Sequence, residues 1–209
     1  MIVAVRQVSK RFEQHWAVLR LELEVKEPAT ILLTGHNGAG KTTFLRMLAT
    51  LSRPTYGSIE WFGKDRRELQ TIRSKIHMIA HDTMHYDDLT ASENLHFFAT
   101  CCGGDTTKIP HILERFELTL AAHQYVRMFS AGMKRRLALA RLLLKPCELV
   151  LFDEPFTQLD AQGMAVVENL MRDLQHQGTT LFIASHDIER VRPLATQHLI
   201  LQHGQATAA

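Results

Sequence analysis

Eight residues constrain this chain more than any other stretch: Gly35-His36-Asn37-Gly38-Ala39-Gly40-Lys41-Thr42, set directly after the apolar run Ala29 to Leu33. A short apolar run that stops at a glycine-rich turn reads as a buried strand. The residues after Lys41 read as a helix, with Leu45, Leu48, Ala49 and Leu51 expected on its apolar face. Strand, glycine loop and helix in that order make a phosphate cradle. The loop must wrap a phosphate closely enough that side chains would collide, while its amides and the helix N-terminus supply positive potential. Gly35, His36, Asn37, Gly38, Ala39 and Gly40 are the expected cradle, and Thr43 extends it into the helix. Lys41 is expected at the β- and γ-phosphates, and the Thr42 hydroxyl at Mg²⁺.

A strand ending in such a loop requires partners. Ile2 to Val8 and Leu19 to Val25 read as strands, and Ser58 to Phe62 as another after the Pro54 and Gly57 turn. From Asp82 to Met128 the texture turns helical, with Thr90 and Glu93 spaced as a capping box and an amphipathic run from Ile109 to Phe116. A helix from Ser130 to Leu144, a strand Leu149 to Phe152, a helix Gln162 to Gln177 stopped by Gly178, and strands Thr180 to Ala184 and His198 to Gln202 follow. Strands alternating with helices predict an α/β fold with a mainly parallel sheet. The length suits one domain, and neither a repeat nor a regulatory tail is expected.

The strand Leu149-Val150-Leu151-Phe152 delivers two carboxylates, Asp153 and Glu154, at its C-terminal end, where parallel sheets bind ligands. Beside a phosphate loop the two divide the work. Asp153 is expected to orient Mg²⁺ or its water, and Glu154 to polarise a water that attacks the terminal phosphate.

Composition excludes several alternatives. A net charge of +2 is too small for a dominant nucleic-acid footprint, although Lys134-Arg135-Arg136 clusters locally. No stretch approaches the roughly 20 apolar residues that cross a bilayer, and Met1 to Arg6 lacks an export signal. The expectation is a cytosolic chain that reaches any membrane through a partner. Cys101, Cys102 and Cys147 have no paired ligand spacing and suit a reducing compartment. His77, His81 and His85 recur every four residues, but Ile76 to Ala80 reads as a strand, so they are scattered polar residues and not a metal or haem site.

Phe129-Ser130-Ala131-Gly132-Met133-Lys134-Arg135-Arg136, just before the acidic strand, resembles the signature motif of ATP-binding cassette (ABC) proteins. The same resemblance aligns Phe156-Thr157-Gln158-Leu159-Asp160 with the family's D-loop, His186 with its switch histidine, and Phe12 with the aromatic residue that stacks on adenine. It covers essentially the whole chain. It implies a P-loop NTPase fold over residues 1–209, an ABC-type nucleotide-binding domain with a mainly parallel core sheet, an antiparallel β subdomain and a small helical subdomain inserted at about 83–145. It further implies an ATPase that uses ATP and Mg²⁺ and works as a homodimer. Each subunit's Ser130, Ala131 and Gly132 would meet the phosphate of ATP held by the other, with Asp160 beside them. Lys41, Glu154 and His186 are then the catalytic set, and Thr42, Asp153 and Asp82 the metal set. Asp82 stands where the family has a glutamine that binds Mg²⁺ and senses the membrane subunit, and Met133 replaces the signature's terminal glutamine.

Within the family, Leu51-Ser52-Arg53-Pro54, Glu93-Asn94-Leu95-His96-Phe97-Phe98 and Asp153-Glu154-Pro155-Phe156-Thr157 look like the ATPase of the cytochrome c maturation system, the haem exporter. That resemblance implies two different integral membrane permease subunits, a peripheral position on the cytoplasmic face of the inner membrane, and release of a haem-loaded periplasmic chaperone. Haem itself need not touch this chain, and nucleic acid is not expected. Other ABC exporters, of drug, lipid or polysaccharide, remain the alternative, and the cargo is not legible.

Overall fold

A computed structural model describes residues 1–80 and 82–208. Along the chain run β1 (Val3–Phe12), β2 (His15–Val25), β3 (Thr30–Thr34), α1 (Lys41–Leu48), β4 (Tyr56–Trp61), α2 (Leu69–Arg73), β5 (Ile76–Ile79), α3 (Ala91–Cys102), α4 (Ile109–Arg115), α5 (Ala131–Ala140), β6 (Leu149–Asp153), α6 (Ala161–His176), β7 (Thr180–Ala184), α7 (Ile188–Val191), β8 (Gln197–Gln202) and β9 (Gln205–Ala208). Residues 1–80, 148–155 and those from 171 on form one compact unit, and 81–147 with 156–170 form a second.

The first unit holds two sheets. The larger has the order β5-β6-β7-β3-β8-β9, parallel from β5 through β8. Its central strands β3, β6 and β7 are buried at every position, the condition under which a strand reads as a continuous apolar run. Their register pairs Leu33 with Ala184 and Ala184 with Asp153, so the loop after β3, the acids after β6 and the turn after β7 open on one edge. This is the α/β arrangement with a mainly parallel sheet that the alternation of strands and helices predicts. The smaller sheet is antiparallel, in the order β2-β1-β4. Trp61 of β4 is fully buried and its indole Nε1 donates to the Leu48 carbonyl at the end of α1, 2.8 Å away.

Some expectations require correction. Leu51 does not share the apolar face of α1: the helix stops at Leu48, Thr50 takes a left-handed conformation (φ 62°), and Leu51 is 68% exposed. The sequence reading also lacks β9. His203 and Gly204, both at positive φ, make the two-residue turn that returns the chain antiparallel to β8.

In the second unit the capping box forms as spaced. The Thr90 hydroxyl accepts from the Glu93 amide at 3.2 Å, and the Glu93 carboxylate accepts from the Thr90 amide at 2.8 Å. Residues 82–89 are not helical, contrary to the expected texture. Asn94, fully buried, accepts from the Tyr86 amide and donates to the carbonyls of Tyr86, Leu89 and Thr90, which holds that segment as a loop over the start of α3. The helix expected to reach Leu144 leaves α-geometry after Ala140 and closes in a 3₁₀ turn. His77 lies on β5, His85 lies in the loop, and His81 lies outside the described residues. Among the described residues no three His, Cys, Asp or Glu side chains are grouped to hold a metal, and no helix is long and apolar enough to cross a membrane.

Candidate functional site

The edge of the large sheet carries a cleft of about 360 Å³ whose walls include Asn37, Gly40, Lys41, Thr42, Asp153 and Glu154, with His15 and His186 at its rim. Gly40 is the N-cap of α1 at φ 104°, and a Cβ there would fall 2.1 Å from the Ala17 carbonyl oxygen. Gly35 is as constrained, with Leu201 O at 2.2 Å from the same hypothetical atom. Both glycines therefore answer to close backbone approach as well as to φ. The first-turn amides of α1 have no preceding carbonyl within the helix, which leaves them free to face an anion.

Lys41 opens α1 and is 8% exposed. Its ammonium donates to the carbonyls of Gly35 (2.7 Å) and His36 (3.3 Å), both within the loop, so backbone oxygens hold the cation at the cradle. Thr42 Oγ1 donates to Asp153 Oδ1 at 3.1 Å, although 111 residues separate them. Two hard oxygens side by side, one a carboxylate 4% exposed, suit Mg²⁺, which completes its shell with water and phosphate oxygens and does not need a cage of protein ligands. They do not suit a zinc-type centre.

Glu154 sits at φ 51°, a left-handed conformation that costs a residue with a Cβ about 1–2 kcal/mol. Its amide donates to the Ala184 carbonyl at 2.9 Å, which holds the turn in place. The carboxylate faces the end of β7, where Oε2 accepts from the His186 amide (3.2 Å) and Oε1 lies 3.3 Å from His186 Nε2. A carboxylate with two contacts to one residue has its orientation fixed, and the His186 ring itself remains half exposed to whatever enters the cleft.

Residues 35–43, Asp153, Glu154 and His186 are therefore brought together in the first unit. Phe12 lies on the β1–β2 hairpin, 52% exposed, with the Lys10 ammonium 5.0 Å from its ring centre. Its cross-strand partner His15, which lines the cleft, escaped the sequence reading because β2 was expected to begin only at Leu19. The two-residue gap between Phe12 and His15, once read as a hairpin turn, would have found it.

The remaining candidates belong to the second unit. Ser130 is the exposed N-cap of α5, its hydroxyl accepting from the Met133 amide at 3.2 Å. Ala131 is exposed beside it. A Cβ on Gly132 would lie 2.9 Å from the Gln158 carbonyl oxygen, so the approach of that backbone favours glycine here. Asp160 accepts from the Gly163 amide at 2.8 Å at the start of α6. Asp82 is exposed, accepts from the Met84 amide at 3.2 Å, and borders a hollow with His85 and Lys134. His85 Nε2 donates to the Lys134 carbonyl at 2.8 Å, and burial pushes the imidazole pKa down to about 4, so at neutral pH this ring is uncharged. Burial likewise pushes the Cys147 thiol up to about 12, which keeps it protonated and unreactive.

The family described as ABC transporter matches residues 18–157. The bacitracin transport ATP-binding protein BcrA of Enterococcus faecalis is 31% identical over 206 residues, 97% of this chain and 67% of that protein. The cytochrome c biogenesis ATP-binding export protein CcmA of Salmonella typhi is 38% identical over 167 residues, 79% of this chain and 80% of that protein. Among solved structures, a dimeric ATP-binding cassette in a post-hydrolysis state, bound to ADP and Pi, superposes with a TM-score of 0.90 at 24% identity, covering 100% of this chain and 98% of the other.

Proposed function

This chain belongs to the ABC transporter family as an ATP-binding subunit, and from that premise we propose that it hydrolyses ATP to drive cytochrome c biogenesis through a haem-export complex. The observation that carries the hydrolytic part is the grouping in one cleft of the Lys41 ammonium, the Thr42–Asp153 pair and the Glu154–His186 pair. The glycine loop and the first turn of α1 take the phosphates, and Lys41 exchanges its carbonyl partners for β- and γ-phosphate oxygens. Thr42 and Asp153 would hold Mg²⁺, which would spread the negative charge of the phosphates. Glu154 accepts a proton from the attacking water as its oxygen bonds to the γ-phosphorus and the bond to ADP breaks. His186 keeps that carboxylate aimed.

In this reading two copies face one another, and Ser130, Ala131 and Gly132 of each reach the γ-phosphate held by the other, with Asp160 alongside. ATP joins the pair and hydrolysis parts it, because only the triphosphate spans both surfaces. Phe12 and His15 take the adenine side of the cleft. Asp82 stands in place of the family's glutamine. The complex sits at the cytoplasmic face of the inner membrane with two different permease subunits, and its turnover frees a haem-loaded chaperone. Similarity to CcmA supports this cargo. Similarity to BcrA over more of the chain supports the second reading, an exporter of another compound.

Purification of the tagged chain with ATP from detergent-solubilised native membranes tests the assignment. Two distinct membrane subunits with a haem-handling protein are expected. A single unrelated permease would favour the second reading, and ribosomal or DNA-bound partners would overturn the transporter assignment. His186→Ala leaves Glu154 without its ring contact, and its ATP turnover is expected to fall about 10²-fold or more with ATP affinity kept, since an unaimed base loses most of its contribution. Full activity in a phosphate-release assay would remove His186 from the mechanism.

A further inference from the structure

A second hollow in the first unit, about 500 Å³ and larger than the nucleotide cleft, lies where the turn between α1 and β4 meets the approach to α2. Its lining includes Arg53, Arg66 and Arg67, with Asp65, Gly57 and Ser58. Asp65 is fully engaged by Arg67, whose guanidinium donates to it at 2.6 to 3.0 Å while the Arg67 amide adds a bond at 2.9 Å. Among the described residues no carboxylate is in contact with Arg53 or Arg66. Arg66 donates only to the carbonyls of Ser52 (3.2 Å) and Thr50 (3.4 Å), and Arg73 donates to Thr50 as well. Burial, then the charges of Arg53 and Arg73, lower the pKa of Arg66.

Capping of α1 explains part of this. The C-terminal end of a helix carries about half a negative charge, whereas Arg53, Arg66 and Arg73 bring three positive ones. Among the described residues, two of Arg66's five N–H donors are spent. The basic run of the second unit shows the contrast: Lys134 is paired with Asp87 at 2.8 Å and Arg136 with Glu117 at 2.7 Å, while Arg135 is buried. Cations gathered around a hollow whose Asp65 carboxylate is already taken up by Arg67 await an anion. We propose that Arg53 and Arg66 form an anion site, separate from the nucleotide cleft, that accepts a phosphate group. Guanidinium forks match phosphate oxygens two at a time, and Ser58 lines the hollow beside them. A phospholipid headgroup and a free phosphate compound share this chemistry.

The test uses the full chain carrying Lys41→Ala, so that the P-loop contributes little phosphate binding. Co-sedimentation with phosphatidylglycerol vesicles, against phosphatidylcholine vesicles, reads the lipid source, and calorimetric titration with inorganic pyrophosphate reads the soluble one. Arg53→Glu is the informative variant because Arg53 is exposed. Arg66→Gln, checked for thermal stability, is the second. Selective vesicle binding that falls about tenfold or more in Arg53→Glu supports a headgroup site. Pyrophosphate binding without vesicle binding, lost in the same variant, supports the site with a soluble ligand. Failure of the parent to bind either probe, or equal binding by parent and Arg53→Glu, overturns it.

Discussion

Glu154→Gln is expected to lower ATP turnover by about 10²- to 10⁴-fold, the usual contribution of a general base, while ATP affinity stays within a few-fold of the parent. Glutamine keeps the shape and the oxygen that accepts from the His186 amide at 3.2 Å, so the strained turn at φ 51° should persist. It loses the capacity to take a proton. With binding intact and turnover stopped, the proposed dimer should accumulate with ATP, visible as a doubled mass by light scattering. Phosphate release near the parent rate in Glu154→Gln would mean that the base is another group or that none is needed.

Lys41→Ala is expected to weaken ATP binding by about 10²- to 10⁴-fold. Two charge-assisted hydrogen bonds to phosphate oxygens, at about 1.5–3 kcal/mol each, total about 3–6 kcal/mol, which converts to that range in Kd. Lys41 also braces the loop through the Gly35 and His36 carbonyls, so part of the loss is preorganisation, and the variant should melt somewhat below the parent. Titration calorimetry with Mg-ATP decides. An unchanged Kd in a folded Lys41→Ala protein would remove the ammonium from the phosphate site. The two variants should split cleanly, binding lost in one and turnover lost in the other, because the cation acts on the bound substrate and the carboxylate acts on the water.

Much of the site was legible because its chemistry is local in sequence. Residues 35–43 announce themselves because only glycine tolerates the φ values and the 2.1–2.2 Å approaches found at Gly35 and Gly40. Asp153 and Glu154 follow an apolar strand, and Ser130 caps a helix, patterns set within a few residues. The Thr90–Glu93 box is of the same kind. The sequence reading went astray in two ways, through a contact distant in sequence and through a hairpin that its apolar run did not mark. Leu51 left its expected face because the chain turns at Thr50, whose carbonyl and hydroxyl are held by Arg66 and Arg73 some twenty residues away. His15 entered the cleft wall because β2 begins earlier than its apolar run, paired across the hairpin with Phe12.

By itself, then, the sequence determined the strand–loop–helix cradle, the acids that follow β6 and the order of the elements, since periodicity, φ restrictions and short spacings act within a few residues of where they are written. Only the tertiary structure decided that Thr42 meets Asp153, that the His186 amide and ring both contact Glu154, and that Arg53 and Arg66 share a hollow whose Asp65 is engaged by Arg67. Those meetings depend on parallel register and on the path of turns between elements, which bring together residues that no local spacing relates.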